Sequence, residues 1–264
     1  MLIVFVVFLQ GIWSAEGLET SDGLQVLRTA IAQMEATEGF VFKGHYSRME
    51  NGAYMEDRDV LVAVMKDETD KAHACKMRII EGDREREFFY STITMEIDHR
   101  DSLIQIGNPR HNPGRNVMLL NRRLNLYNPN GFHQKTLDAI ARGEAWIDEF
   151  SSEDESTWKI GVRFGSAAYA PMKYEEFGYT FYLDKHSLRA KEIQFIAVRD
   201  FGEGDLVKVE TKLVIEEIDF NLPLVQKVIE AVEIPEGYEL MSKSKCQRSK
   251  NKYQSAKSKE HFKS

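Results

Sequence analysis

The chain has 264 residues, which suits one large domain or two small ones and leaves ample room for a core. Its net charge of −7 is uneven: Ser242 to Ser264 hold eight basic residues and one acid, a tail of +7, which leaves −14 on the rest. A body that acidic is a poor partner for nucleic acid or an anionic membrane, and the two cysteines, Cys75 and Cys246, form no Cys-x-x-Cys or Cys/His metal spacing.

From the N-terminus, Met1 to Leu9 is almost purely apolar and runs into Ala15-Glu16-Gly17. An apolar run of this length ending in small residues predicts a secretory signal peptide over 1–17, with the mature chain starting near Leu18. It is shorter than the ~20 apolar residues that span a bilayer. No Lys or Arg precedes Arg28, which departs from the usual charged start of such a leader. Leu24, Leu27, Ile31 and Met34 then recur at steps of three and four and predict an amphipathic helix over Ser21–Thr37, capped by Ser21 or Asp22 and ended by Gly39. Phe40, Phe42 and Tyr46 share one face of the strand that follows, and Asn51-Gly52 signals a hairpin. The next strand, Tyr54–Lys66, is apolar on both faces around Val60 to Met65, as a central strand would be. Strands over His73–Glu81 and Arg84–Tyr90 follow, turned at Gly82-Asp83, then a hairpin of Thr94–Asp98 and Ser102–Ile106.

Alternation stops at the Pro/Gly/Asn-rich stretch Gly107–Arg115. Val117, Leu120 and Leu124 return to near-helical spacing, and Leu137, Ile140 and Ala141 place a second helix over His133–Arg142, ended by Gly143. Strands resume at Ala145–Phe150, and an acidic turn, Ser151–Ser156, leads into Thr157–Phe164. There Trp158, Ile160, Val162 and Phe164 point one way, against Lys159, Gly161 and Arg163. Gly165–Glu176 reads as a loop, with strands at Gly178–Asp184, Leu188–Asp200 and Leu206–Ile218. Pro223–Val232 reads as a connector, Ile234–Tyr238 closes the body, and the Lys/Ser-rich 242–264 reads as a disordered basic tail.

About ten hairpin-linked strands make a sheet that must curl. The fold expected is mostly β (α+β): a curved antiparallel sheet forming an open, incompletely closed barrel, with the two helical segments covering its concave face.

Several strings in this order resemble the LolA-like periplasmic lipoprotein carriers and their outer-membrane lipoprotein-sorting relatives. They are Phe89-Tyr90, Met95 to His99, Leu103 to Ile106, Tyr182 to Leu188, Phe220, and Ile234-Pro235-Glu236-Gly237-Tyr238, spread over 23–238 within a domain of 18–241. The resemblance implies an exported, non-enzymatic periplasmic protein. It would hold a lipid or a lipoprotein's acyl chain in an apolar cavity, for transport toward the outer membrane. Carriers of this family use an Arg on an early strand to hold the helical lid shut. The matching position here is Lys66, a point charge without the planar fork of a guanidinium.

The inward set expected to line such a cavity is Phe42, Tyr46, Val62, Trp158, Val162, Phe164, Tyr179, Phe181 and Leu213. The same residues also fit a closed core packed against the helices. The partners expected are a lipid or acylated lipoprotein and a membrane-associated protein, not nucleic acid, with the carrier itself a monomer. A second reading keeps the fold and makes the protein a periplasmic sensor or regulator that binds a protein partner. No GxSxG, HExxH, P-loop or GxGxxG occurs, so no catalytic residue, metal ligand or cofactor is expected. Arg84-Glu85-Arg86-Glu87 reads as a solvated strand face with cross-strand pairing.

Overall fold

Period-two patterning governs the structure as it does the sequence. The computed structural model describes residues 20–66, 72–91, 94–107, 132–165, 174–200 and 206–240. The leader, the apolar run at 117–126 and the basic tail lie outside these residues. Twelve strands are present among the described residues: β1 Gly39–Glu50, β2 Ala53–Lys66, β3 Ala72–Glu81, β4 Arg84–Tyr90, β5 Thr94–Asp98, β6 Leu103–Gly107, β7 Ala145–Asp154, β8 Thr157–Phe164, β9 Tyr174–Asp184, β10 Ala190–Asp200, β11 Leu206–Asp219 and β12 Glu239–Leu240. Three helices accompany them: α1 Thr20–Glu35, α2 Phe132–Ala141 and α3 Leu222–Glu230.

All twelve strands form one sheet in the order β12-β6-β5-β4-β3-β2-β1-β11-β10-β9-β8-β7. Two meanders, β1 to β6 and β7 to β11, are joined by the antiparallel pair β1–β11. The sheet stays open, because β7 and β12 end the order without pairing to each other. Its connections follow the expected turn chemistry. Asn51 (φ 49°) and Gly52 (φ 80°) make the β1–β2 turn with both residues left-handed, which suits the twist of a two-residue hairpin. That tip is fixed to β11, since the Asn51 amide donates to the Lys208 carbonyl at 2.9 Å and its side-chain oxygen accepts from the Lys208 amide at 2.8 Å. At the end of α2, Gly143 N–H donates to Ile140 O and Glu144 N–H to Ala139 O, the paired closure of a Schellman cap.

Helix α1 shows how far the sheet curls. Its Gly23 lies against Phe150 on β7, and the carbonyl of its Met34 accepts from Lys66 on β2. Those eleven residues rise about 17 Å. On a flat sheet, six strand spacings would separate β7 from β2 by about 29 Å. The sheet closes around the helix to bring both ends within reach, even with the lysine stem added. On this inner side Leu27, Ala30 and Ile31 of α1 and Ala139 of α2 share one core with residues of β1–β4 and β7–β11.

Four expectations are corrected. The stretch read as a connector, Pro223–Val232, is mostly helix α3: Asn221 caps it, Pro223 sits in its first turn, and Val225, Val228 and Ile229 pack on Val41 and Ala63 of the outer face. The acidic turn is shorter than Ser151–Ser156, because Ser151 and Ser152 still pair with Lys159 and Trp158, so β7 runs to Asp154. The loop read over Gly165–Glu176 yields its last residues to β9, which starts at Tyr174. The sheet is also mixed, since β12 runs parallel to β6.

Two features of the sheet are directly testable. At the β1–β11 register shift, a Cβ on Gly44 would meet the Val214 carbonyl oxygen at 2.3 Å, and backbone cannot step aside as a side chain can. Gly44→Ala is expected to lower stability by about 1–3 kcal/mol in denaturant unfolding, while Gly165→Ala, whose nearest neighbour would be at 3.5 Å, changes it little. In the β9–β10 turn, the Asp184 carboxylate accepts from the Ser187 amide at 2.8 Å, the Ser187 hydroxyl at 2.9 Å and the His186 amide at 3.1 Å. These bonds, the Ser187 amide first, hold its pKa down to about 2. The folded value lies below the unfolded value of about 3.9. The stabilisation is therefore present above pH ~4 and lost as pH falls toward 2. Unfolding titrations of Asp184→Asn should lose that part of the acid slope.

Candidate functional site

The nine residues expected to point inward do share the inner face. Phe42 stands opposite Val62, Tyr46 opposite Leu213, and Val162 opposite Tyr179. A row runs across the sheet from Tyr46 through Leu213, Ile193 and Phe181 to Ile160. Phe42, Tyr46, Val62, Val162, Tyr179, Phe181 and Leu213 are buried; Trp158 and Phe164 are half-buried and pack against the same core. Trp158 lies at the rim, 5.1 Å from the Phe150 ring and with Lys185 Nζ 4.6 Å over its face.

Sequence reasoning missed two members of this surface. Phe177 and Phe195 join Tyr179 and Phe164 in an edge-on aromatic cluster with centroids 5.1 to 6.0 Å apart. Phe195 was legible in the Ile193, Phe195, Ala197 alternation. Phe177 fell between the loop read to Glu176 and the strand read from Gly178, whereas β9 starts at Tyr174.

Along the strands the inner face changes character. Beyond Tyr46 and Val60, toward the β1–β2 turn, its inward positions become Arg48, Glu56 and Arg58, facing Glu81, Arg84, Arg86 and Asp98 on β3 to β5. Arg58 is only 7% exposed and lies 3.2 Å from Glu56 and 3.3 Å from Glu81. Arg48 pairs with Glu50 and Glu56, and Arg84 with Asp98. Opposite charges pair there, with Arg58 and Asp98 buried and Arg48, Glu50, Glu81 and Arg84 partly open to solvent. The surface is thus greasy beneath the helices and ionic at the hairpin end. Cys75, on the greasy part, is a free thiol whose pKa burial pushes up to about 12, which leaves it unreactive. Cys246 lies outside the described residues.

Lys66 meets the helical cover. Its Nζ donates to the Met34 carbonyl at 3.2 Å and its amide to Glu38 O at 2.8 Å. A cation at the carbonyl end of a helix also opposes the helix dipole. The position that matched the family's lid-holding arginine therefore contacts α1.

No protein-family model matches the chain, and no curated protein matches it. Among solved structures it is similar to LprF from Mycobacterium bovis, with 11% identity and a TM-score of 0.40, covering 84% of this chain and 100% of that one. It is similar to a DUF1329 family protein from Desulfovibrio piger, with 10% identity and a TM-score of 0.35, covering 80% and 97%. It is also similar to the LolA superfamily protein NE2245 from Nitrosomonas europaea, with 9% identity and a TM-score of 0.31, covering 74% and 93%. Identities near one in ten and TM-scores below 0.5 leave function to be argued from this chain's own geometry.

If Lys66 fastens the cover, Lys66→Met should loosen α1 specifically. Amide exchange across 24–34 is expected to speed up by a factor set by about 0.5–1.5 kcal/mol, with exchange in β9 and β10 unchanged.

Proposed function

We propose that this protein is a non-enzymatic carrier that holds a lipid, or the acyl chain of a lipoprotein, on the inner face of its open sheet. The observation that carries the reading is the apolar floor that runs from β4 to β7 in a sheet that never closes on itself. A closed barrel would have no use for a separate helical cover. Here α1 and α2 supply one, and α1 meets the sheet's far side partly through the Lys66–Met34 carbonyl contact. Moving that cover exposes Phe42, Val62, Val162, Tyr179, Phe181 and Leu213 as a binding surface. Trp158 and Phe164 are the half-buried members. The ionic end of the same face supports an amphiphile over a plain hydrocarbon, with the polar group near Arg48 and Arg58. Export to the periplasm and delivery toward the outer membrane belong to the same proposal.

The test is uptake of a fluorescent fatty-acyl probe by the purified full chain, with native mass spectrometry to count bound lipid. One probe per chain is expected. Shortening its tail by four methylenes should weaken binding by about 3 kcal/mol, roughly 200-fold, because each methylene leaves water for the cavity. Trp158→Asp and Phe164→Asp, both at half-buried positions, should reduce uptake while far-UV circular dichroism keeps the strand signal. A chain that takes up no probe, or one indifferent to tail length, overturns the reading and leaves the inner face a closed core.

A further inference from the structure

The outer face of β4 holds a convergence of groups that the carrier reading does not use. Glu85 and Glu87 are two residues apart on one strand, so both carboxylates stand on the same side. His99, in the β5–β6 turn, is brought beside them by a bond from its amide to the Glu85 carbonyl at 3.0 Å. Its Nδ1 lies 3.0 Å from the Tyr238 hydroxyl, with the two rings edge-on at 5.7 Å. Its Nε2 lies 3.4 Å from Glu87 Oε1 and 3.8 Å from Glu85 Oε1, is sealed from solvent, and makes no hydrogen bond. One ligand atom from each of the three residues lies within 4.8 Å of the others.

With Nδ1–H assigned as donor to Tyr238, Nε2 carries a lone pair. Three lone-pair atoms then converge; Glu85 Oε1 already accepts from Arg78, while the sealed Nε2 has no hydrogen-bond partner, and a cation between the three would supply one. Zinc bonded tetrahedrally at ~2.0–2.1 Å holds its ligand atoms about 3.3–3.4 Å apart. The Nε2–Glu87 separation of 3.4 Å already matches that spacing, while Glu85 Oε1, 3.8 Å from Nε2 and within 4.8 Å of the Glu87 ligand atom, must move inward. The Tyr238 hydroxyl occupies the place of the outer partner that orients a metal-bound imidazole.

We propose that Glu85, Glu87 and His99 bind one divalent transition-metal ion, zinc by the nature of the nitrogen and oxygen donors, with Tyr238 as the positioning residue. The fourth position is open to water. Arg78 donates to Glu85 Oε1 at 2.7 Å and Lys76 lies 3.1 Å from Glu87 Oε2. These cations hold the carboxylates in place and also offset their charge, which weakens the pull on a bound cation. The ion would tie β4 to the β5–β6 turn and, through Tyr238, to the segment that leads into β12. The site stands on the opposite face from the proposed cargo surface and does not depend on it.

The experiment uses the full chain stripped with chelator, titrated with zinc by calorimetry and with cobalt(II) for its visible spectrum. One ion per chain is expected, with a rise in Tm. Glu87→Gln and His99→Gln should each weaken binding at least ~10-fold, and Tyr238→Phe about 10-fold, as loss of an outer partner does. His45→Gln should leave it unchanged, since that ring sits between Asp57 and Asp59 on another strand pair. Should His99→Gln fail to fold, Glu87→Gln and Tyr238→Phe test the same ligand set. No binding at about 100 µM metal, unchanged binding in Glu87→Gln, or a sulfur-to-cobalt charge-transfer band pointing to cysteine overturns the proposal.

Discussion

The rest of the structure depends on the pairing of β1 with β11. These strands come from opposite ends of the body, and each heads its own meander. Without their ladder there are two sheets of ordinary size, each with a greasy side too narrow to enclose anything. With it, Tyr46 faces Leu213, Phe42 faces Ile218, and the inner surface runs unbroken from one meander to the other. The pairing joins residues about 170 apart along the chain, so it forms at a late, entropically costly stage of folding. The register shift at Lys43 and Gly44 and the tie from Asn51 to Lys208 fix its alignment at two points.

β1 and β2 are also where both faces are spent. Phe40, Phe42, Val62 and Val64 go inward, while Val41 and Ala63 go outward under α3. The chain can therefore cover the middle of its sheet on both sides. On the flank over β8 to β11, Arg163 bridges Asp148 and Glu176, Lys212 meets Glu192, and Lys208 meets Glu210. Such exposed pairs add little stability each. They keep a broad uncovered face wet.

How legible this was depended on whether local pattern and tertiary contact agreed. β8 agreed: its alternation runs cleanly from Trp158 to Phe164 and one side is buried. The β1–β2 turn was legible because Asn51-Gly52 has a conformational reason to be there. α3 was missed although Val225, Val228 and Ile229 have helical spacing, because a proline breaks a helix interior but only starts a helix from its first turn, where Pro223 sits. The end of β7 was missed because Ser151 to Asp154 carries no apolar signal; only its ladder to β8 makes it strand. The inward set was legible from period two. The aromatic cluster around Phe177 and the grouping of Glu85, Glu87 and His99 were not, since each depends on register between separate segments.

Among the described residues the open sheet ends in two margins, and strand margins invite other strands. β7, the margin on one side, carries Asp148, Glu149, Glu153 and Asp154 and is bent by two register shifts. β12, the margin on the other, is two residues long. Charge, irregularity and brevity are the devices by which sheets refuse to zip onto their neighbours. Incomplete closure thus exposes the molecule to self-assembly, which the acids of β7 oppose. With those acids replaced by neutral residues, this molecule would begin to polymerise edge to edge.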